Sequence, residues 1–139
     1  MLMSLQRLAS GIGVDEQIEW VGVLEEHEVA RRLSRAEVYV STSPTDGTSL
    51  SLLEAMACGT LPVVADTDAN RPWIEEGVTG SLFQPGDPQD LAEKILKALH
   101  SGEFRDSARE KNRLVIEQKA DWHRNMGEME RLYQRLKVP

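Results

Sequence analysis

Short apolar runs alternate along the chain with longer stretches in which apolar side chains recur every three or four residues. Short runs of this kind are typical of buried strands, and the longer spacing is typical of amphipathic helices. We predict four strands, over residues 18–21, 38–41, 62–65 and 80–83. Because helical patterns separate the strands, they are predicted to form βαβ units, and therefore a Rossmann-like parallel sheet with helices on both faces.

The helical patterns account for most of the remaining chain. The first four predicted helices cover residues 2–11, 25–34, 50–58 and 72–76. Another is predicted to begin with Asp87 as its N-cap and Pro88 in its first turn. Two more helices follow, and one side of the last carries apolar residues at helical spacing: Trp122, Met126, Met129, Leu132 and Leu136. We interpret that side as core, or as a face that packs against another domain.

The predicted sheet also indicates where a ligand would bind. Ligands of open α/β sheets lie beyond the carboxyl ends of the strands, so the loops after Val21, Val40 and Ala65 are expected to border a crevice. The chain opens on a helix, and four strands alone would leave one edge or face of the sheet poorly covered. We therefore expect residues 1–139 to form one incomplete domain, with sequence missing at its amino-terminal side.

Composition excludes some classes of partner. A chain of 139 residues has the usual size of one domain, roughly 100–200 residues. The formal net charge of -7 argues against a nucleic acid or an anionic membrane as the main partner. The single cysteine, Cys58, excludes an internal disulfide and suits a reducing compartment. With no spanning segment or signal peptide in the pattern, we expect a cytoplasmic protein.

The segment from Ser43 to Gly59 runs from the end of a predicted strand, through a polar loop, into an apolar helix. Gly47 has no Cβ, so the backbone there can bend or approach a ligand closely. Thr48 and Ser49 can either cap the helix or leave its first N–H groups pointing at an anion, which the helix dipole also attracts. The segment is therefore a candidate seat for a diphosphate that needs no basic side chain.

Glu54 is the only charged residue in that helix. A helix apolar nearly all round is expected to be buried, where an unpaired carboxylate is costly, so Glu54 is predicted to have a fixed internal partner or a ligand. Ser51 lies one turn earlier on the same face, and a carboxylate on this strip could accept both hydroxyls of a ribose. Two alternatives stay open: Asp46 could only stabilise its turn with Gly47, and Glu54 could be the solvent-facing position of the helix.

The other candidate groups are weaker. The three histidines, His27, His100 and His123, lack metal-ligand spacing, and we interpret them as surface residues. Arg71 follows a strand on the crevice side and could approach a phosphate, although a solvated loop arginine is the favoured interpretation. The Cys58 thiol is expected to serve packing. No metal site is predicted.

The run from Asp46 to Gly59, with 62–66 and 77–80 after it, resembles the family-four retaining glycosyltransferases, which have the GT-B fold. The hallmark of that family is a pair of acidic residues with seven residues between them, here Asp46 and Glu54, the second lying in a Leu-Glu-Ala-Met-Ala-Cys-Gly helix. The Pro-Gly-Asp-Pro signal of the family is also present, at 85–88. The resemblance covers about residues 5–99. We therefore divide the chain into a family-like part, 1–100, and C-terminal helices, 101–139.

The resemblance implies that this chain is the C-terminal, nucleotide-sugar-binding lobe of such an enzyme. Glu54 would bind the ribose, and Asp46, as the catalytic residue, would face the donor sugar, although the family usually has Glu at this first position. Loop amides would contact the sugar and the diphosphate, and the segment after the first predicted strand would border the base. These further donor-binding residues are Gly47, Thr48, Ser49 and Leu50 for the amides, and Val23 and Leu24 for the base. The Arg and Lys with which the family clamps the diphosphate have no counterpart here.

The implied function is transfer of a sugar, with retention, from a UDP-, GDP- or ADP-linked donor to an acceptor sugar, lipid or polysaccharide. The resemblance implies neither a metal nor any cofactor besides the donor substrate, and it implies a missing N-terminal lobe that binds the acceptor. Two alternatives remain: a non-catalytic nucleotide-sugar-binding remnant, and a GT-B sugar-nucleotide epimerase. The Leu53–Gly59 sequence argues against the epimerase.

Overall fold

The computed structural model describes residues 2–44, 47 and 49–136 of the chain. These residues form three strands and six α-helices, with one 3-10 turn at Asp15–Gln17. In chain order they are α1 (Leu2–Gly11), α2 (Glu26–Leu33), β1 (Val38–Ser41), α3 (Leu50–Ala57), β2 (Leu61–Ala65), β3 (Ser81–Phe83), α4 (Pro88–His100), α5 (Gly102–Lys119) and α6 (Trp122–Leu136).

The three strands form one parallel sheet in the order β1-β2-β3. Val38 pairs with Leu61 at the start of β1, and Val63 pairs with Ser81 at the start of β3. All five residues of the central strand β2 are buried. A strand that is covered on both faces needs a continuous apolar sequence, and Leu-Pro-Val-Val-Ala meets that need. The predicted parallel sheet is confirmed.

Two apolar clusters lie on opposite faces of the sheet, because alternate residues of β2 point to opposite sides. The first lies between the sheet and α4, and its buried members are Leu61, Val63, Ala65, Phe83, Ala98 and Ala108. The second lies between the sheet and α3, and its buried members are Leu52, Met56, Val64 and Ile74. Helix α5 contributes to both clusters, through Ala108 to the first and through Val115 and Ile116 to the second. The predicted covering of both faces is confirmed.

The prediction of a strand over residues 18–21 is wrong. Ile18 has an extended backbone, with φ -111° and ψ 121°, but the segment belongs to no strand in the part of the chain that the structure describes. The segment contacts α2 instead through an ion pair, in which Arg32 Nη2 lies 2.8 Å from Glu19 Oε1. An apolar pattern favours extended backbone, yet a strand also requires a neighbour that accepts and donates its ladder hydrogen bonds.

The short helix predicted around 72–76 is wrong as well, because the chain between β2 and β3 is a series of turns. Asn70 anchors them, since its side-chain Nδ2 donates to the Ala65 carbonyl oxygen at the end of β2, 2.8 Å away. The Glu75 N–H donates to the Thr79 hydroxyl oxygen at 2.8 Å. That N–H is therefore not available for the i to i−4 bond that a helix would need there.

The predicted ends of two helices are confirmed. Asp87 caps α4, because its Oδ1 accepts from the N–H groups of Gln89 and Asp90 at 2.9 and 3.1 Å, with Pro88 in the first turn. Gly59 ends α3 with a φ of +78°, a conformation that glycine adopts without strain. The following Thr60 N–H reaches back to the Ala55 carbonyl oxygen at 2.9 Å.

The apolar side of α6 is not core. The helix buries none of its residues, and Trp122 is 67% exposed. Helix α1 is similar, with Leu5 and Leu8 exposed and only Ala9 buried. The periodicity of these helices is therefore real, but no described element covers it. Among the described residues, none of the helices combines the length and the apolar character that crossing a membrane requires.

Candidate functional site

The candidate site lies at the carboxyl edge of the sheet, where β1 leads through a loop into α3. Ser41 ends β1 and Leu50 begins α3, so the loop between them occupies the position at which open α/β sheets bind ligands. Gly47, in this loop, is exposed. The predicted catalytic residue Asp46 and the predicted amide of Thr48 lie outside the described residues, and their roles stay predictions.

Ser49 occupies the N-cap position of α3, with extended backbone (φ -72°, ψ 118°), but its side chain makes no capping bond. The Ser49 carbonyl oxygen accepts from the N–H groups of Leu52 and Leu53, at 3.1 and 3.2 Å. The Ser49 hydroxyl bonds instead to the Ser51 hydroxyl, 2.9 Å away. The prediction that Ser49 caps the helix is therefore wrong, and the alternative, in which the first N–H groups point at an anion, stays a prediction.

Glu54 lies on the exposed face of α3, not inside the protein as its apolar neighbours predicted. The helix buries only one side, formed by Leu52, Ala55 and Met56, and its other side carries Ser51 and Glu54 one turn apart, together with the 72% exposed Leu50. The prediction of a fixed internal partner is wrong, because no described residue donates a hydrogen bond to the Glu54 carboxylate. The carboxylate and Ser51 form the polar strip that the spacing predicted.

The charge of Glu54 acts on the thiol of Cys58, which lies one turn further along the chain. Burial is the main cause that raises the pKa of the Cys58 thiol, and the negative charge of Glu54 raises it further. A thiol with a raised pKa stays protonated at neutral pH and is a poor nucleophile. Cys58 is half-buried, in agreement with the predicted packing role.

The loop after β2 holds Arg71, the candidate for contact with a phosphate. Arg71 Nε lies 2.7 Å from Asp66 Oδ1, and Arg71 Nη1 lies 2.6 Å from Asp68 Oδ1. The hydrogen bonds with Asp66 and then its charge raise the pKa of the Arg71 guanidinium. The cation is half exposed, as predicted for a loop arginine, and two carboxylates of its own loop already neutralise it.

The segment predicted to border the base is on the surface. Val23 is fully exposed and Leu24 is half-buried. They precede α2. The end of that helix is hydrogen-bonded to the residue before β2, because the Thr60 hydroxyl donates to the Leu33 carbonyl oxygen at 2.5 Å. The histidines are exposed, as predicted. No group of three or more His, Cys, Asp or Glu side chains suited to a metal ion occurs within 2–44, 47 and 49–136.

Two features of the site were missed at the level of sequence. Tyr39 of β1 places its hydroxyl 2.7 Å from the Ser51 hydroxyl, and strand alternation, which separates Tyr39 from Val38 and Val40, was the signal for it. The second feature is a pocket of about 430 Å³ on the α4 side of the same edge. It is lined by residues of the β1 and β3 loops and of α4, among them Thr42, Pro44, Phe83, Pro85, Gly86 and Leu91.

Comparison with known sequences places this architecture in a family. The profile described as "Glycosyl transferases group 1" matches residues 2–115. The D-inositol 3-phosphate glycosyltransferase of Streptosporangium roseum is 31% identical over 103 residues, which make up 74% of this chain and 24% of that protein. The sulfoquinovosyl transferase SQD2 of Arabidopsis thaliana is 36% identical over an alignment of 111 residues, which covers 74% of this chain and 21% of that protein.

Solved structures share the fold. Sucrose-phosphate synthase from Thermosynechococcus elongatus superposes with a TM-score of 0.90 at 24% identity, over 95% of this chain and 33% of that one. Anabaena Alr3699/HepE in complex with UDP superposes with a TM-score of 0.91 at 19% identity, over 97% of this chain and 37% of that one. Both establish a Rossmann-like α/β fold of the GT-B type. This chain spans about a quarter of the length of the sequence relatives, and with the family profile matched over residues 2–115 it belongs to the group 1 glycosyltransferases.

Proposed function

We propose that this chain is the donor-binding part of a retaining glycosyltransferase and that Glu54 binds the ribose hydroxyls of a nucleotide sugar. The observation that carries the proposal is the polar strip of α3, on which the exposed Ser51 and Glu54 lie one turn apart after the carboxyl end of β1. A carboxylate has two acceptor oxygens and can take a hydrogen bond from each of two neighbouring hydroxyls. Since no described residue donates to Glu54, those oxygens are available to a ligand.

The diphosphate of the donor would lie at the start of α3. The side chain of Ser49 makes no capping bond to the first N–H groups of this helix, and the helix dipole adds partial positive charge at the same point. The amides of Gly47, Thr48, Ser49 and Leu50 would contact the diphosphate and the sugar. Asp46 would face the sugar, and Val23 and Leu24 would border the base.

Catalysis by such a site is electrostatic, because amides at the helix start stabilise the charge that develops on the leaving diphosphate. Asp46 and Glu54 would orient the donor by accepting from its hydroxyls, and no metal or further cofactor is required. Complexes of structural neighbours with UDP and with UDP-glucose support a nucleotide-sugar donor. The acceptor, whether sugar, lipid or polysaccharide, would be bound by a separate N-terminal lobe. A cytoplasmic location fits the single half-buried thiol of Cys58.

A second candidate is a domain that binds the nucleotide sugar without turning it over. It is favoured by Arg71, which lies beyond the carboxyl end of β2 but is neutralised by Asp66 and Asp68 and so is not available to clamp a diphosphate. An epimerase, the third candidate, would act on the donor alone and would need no acceptor.

Thermal unfolding of the chain with UDP, GDP, ADP and their sugar conjugates tests the donor site. A ligand that binds only the folded state raises the midpoint, by an amount that corresponds to about 2.7 kcal/mol at a hundredfold excess over Kd. We expect one nucleotide to raise the midpoint of the natural chain and of Glu93→Ala, an exposed glutamate of α4. The same nucleotide should leave Glu54→Ala unmoved.

Two results would count against the proposal. A cooperative transition that no nucleotide moves would overturn it, and so would an equal shift in Glu54→Ala. Turnover separates the first two candidates. A donor-binding chain that transfers no sugar, even in the presence of its remaining lobe, would be the non-catalytic domain.

A further inference from the structure

Three hydroxyl groups from two elements form a chain at the start of α3. The Tyr39 hydroxyl lies 2.7 Å from the Ser51 hydroxyl, and the Ser51 hydroxyl lies 2.9 Å from the Ser49 hydroxyl. Tyr39 belongs to β1, Ser49 is the N-cap residue of α3, and Ser51 lies in the first turn of that helix, which also carries Glu54. The chain of hydroxyls therefore links the sheet to the helix start where the proposed function places the diphosphate.

The number of protons limits which hydrogen bonds the hydroxyls of Tyr39, Ser51 and Ser49 can form. Each hydroxyl has one proton to donate, and the two internal hydrogen bonds use two of the three. One proton is left over: at Ser49 or at Tyr39 when both hydrogen bonds point the same way, and at Ser51 when that hydroxyl accepts from both neighbours. Hydrogen bonds in a chain polarise one another in the same direction, so an anion at one end selects the orientation of all of them.

The Ser49 end is the one suited to an anion. Ser49 is the N-cap residue of α3, where the helix dipole is positive, and its hydroxyl is not engaged in capping. Tyr39 is half-buried, and its ring packs against the cluster of Leu52, Met56 and Val64. Its position is thus set by the core, while Ser51 is exposed and would otherwise exchange rotamers.

We propose that Tyr39 is a positioning residue of the donor site. Tyr39 donates to Ser51, Ser51 donates to Ser49, and Ser49 donates its free proton to an oxygen of the donor diphosphate. No bond other than hydrogen bonds is formed or broken. This inference rests on the proposed function, since it assigns to the same site a hydroxyl that helps to select the diphosphate over an uncharged nucleoside.

The test is a set of four chains titrated with UDP, GDP and ADP and followed by NMR chemical shifts, which report millimolar affinities. The chains are the natural sequence, Tyr39→Phe, Ser49→Ala and the double variant. Loss of one hydrogen bond of ordinary strength weakens binding by about threefold to tenfold, and we expect each single variant to show such a loss. Because Tyr39 acts through Ser49, the double variant should bind no more weakly than Ser49→Ala alone.

The controls separate positioning from a general effect on the fold. Tyr133→Phe removes the hydroxyl of an exposed tyrosine on α6 and should bind the diphosphates as the natural chain does. The affinity for the parent nucleoside, uridine, guanosine or adenosine, should not fall in Tyr39→Phe, because the nucleoside lacks the diphosphate. If Tyr39→Phe does not fold, Ser51→Ala interrupts the same chain at an exposed position and should give the same loss.

Unchanged diphosphate affinity in Tyr39→Phe and Ser51→Ala would overturn the inference and leave the donor site intact. Additive losses in the double variant would also overturn it, because Tyr39 would then act independently of Ser49. If the natural chain binds none of the three diphosphates, the proposed function itself fails, and that outcome is recognised before any variant is compared.

Discussion

Gly59 and Arg109 are in contact where α3 ends against α5: a Cβ added to Gly59 would lie 2.6 Å from the Arg109 Cγ. Arg109 Nε also donates to the Gly59 carbonyl oxygen, at 3.4 Å. Two independent reasons therefore favour glycine at this position: its φ of +78°, and the lack of space for a Cβ beside Arg109. The contact joins the helix that carries Glu54 to α5, the longest helix among the described residues.

We predict that Gly59→Ala lowers the free energy of unfolding by about 2–4 kcal/mol, from a strained φ and from overpacking against Arg109. Gly86→Ala is the matched control, because Gly86 has a φ of +82° but no atom within 4 Å of an added Cβ. The control should lose only the backbone part, about 1–2 kcal/mol. Urea denaturation measures both, and equal losses would show that the Arg109 contact has no energetic weight.

Alkylation of Cys58 should report the charge of Glu54. Burial and the Glu54 carboxylate both raise the pKa of the thiol, so the iodoacetamide rate should rise at higher pH than for a free cysteine. Glu54→Gln removes the charge but not the burial, and we expect the rate profile to move part of the way back to lower pH. Glu93→Gln, on α4, should leave the profile in place. An unchanged rate profile in Glu54→Gln would show that the charge of Glu54 does not affect the pKa of the Cys58 thiol.

The amide of Asn112 in α5 is fully buried, and no described residue forms a hydrogen bond with its Oδ1 or Nδ2. A buried polar group without a partner costs about 1–3 kcal/mol. We therefore expect Asn112→Leu, whose side chain has the same number of heavy atoms in the same branching pattern, to raise the midpoint of thermal unfolding. Asn112→Asp would bury a carboxylate and should lower the midpoint. A lower midpoint in Asn112→Leu would mean that the amide is satisfied in solution.

The side chain of Asp87, the N-cap of α4, is predicted to stabilise the folded protein. Asp87→Ala removes the acceptor for two N–H groups and should cost about 1 kcal/mol in the free energy of unfolding. Asp87→Asn retains a side-chain oxygen and should recover most of that loss. Chemical denaturation of the three chains makes the comparison. If Asn restored nothing, the charge of Asp87 and not its hydrogen bonds would be the stabilising term.

Much of the fold was predictable because its signals are local. The apolar run of β2 predicted a strand covered on both faces, and Asp87 with Pro88 predicted where α4 begins. The paired acids, the helix around Glu54 and the Pro-Gly-Asp-Pro signal carried the resemblance, and the family profile over residues 2–115 confirms it. The roles of Asp46 and Glu54 in donor binding stay predictions, and the former lies outside the described residues.

The parts that failed depend on neighbours. The segment 18–21 has the composition of a strand, but pairing needs a second strand beside it. The surroundings of Glu54 are apolar along the chain, but the packing of α3 leaves one of its sides open, and the carboxylate is exposed there. Of the two interpretations of the apolar side of α6, core is wrong because its residues are exposed, whereas a face that packs against another domain stays a prediction.

The sequence by itself determined where the helices around the site begin and end, that the sheet is parallel, and to which family the chain belongs. Caps, glycines and periodicity act within a few residues, so they can be interpreted without knowledge of the fold. Only the tertiary structure decided that Tyr39 meets Ser51, that Arg71 is already neutralised, and that Glu54 faces solvent. Burial and side-chain contacts depend on which distant segments the sheet brings together. The spacing of residues along one segment does not indicate which other segments will pack against it.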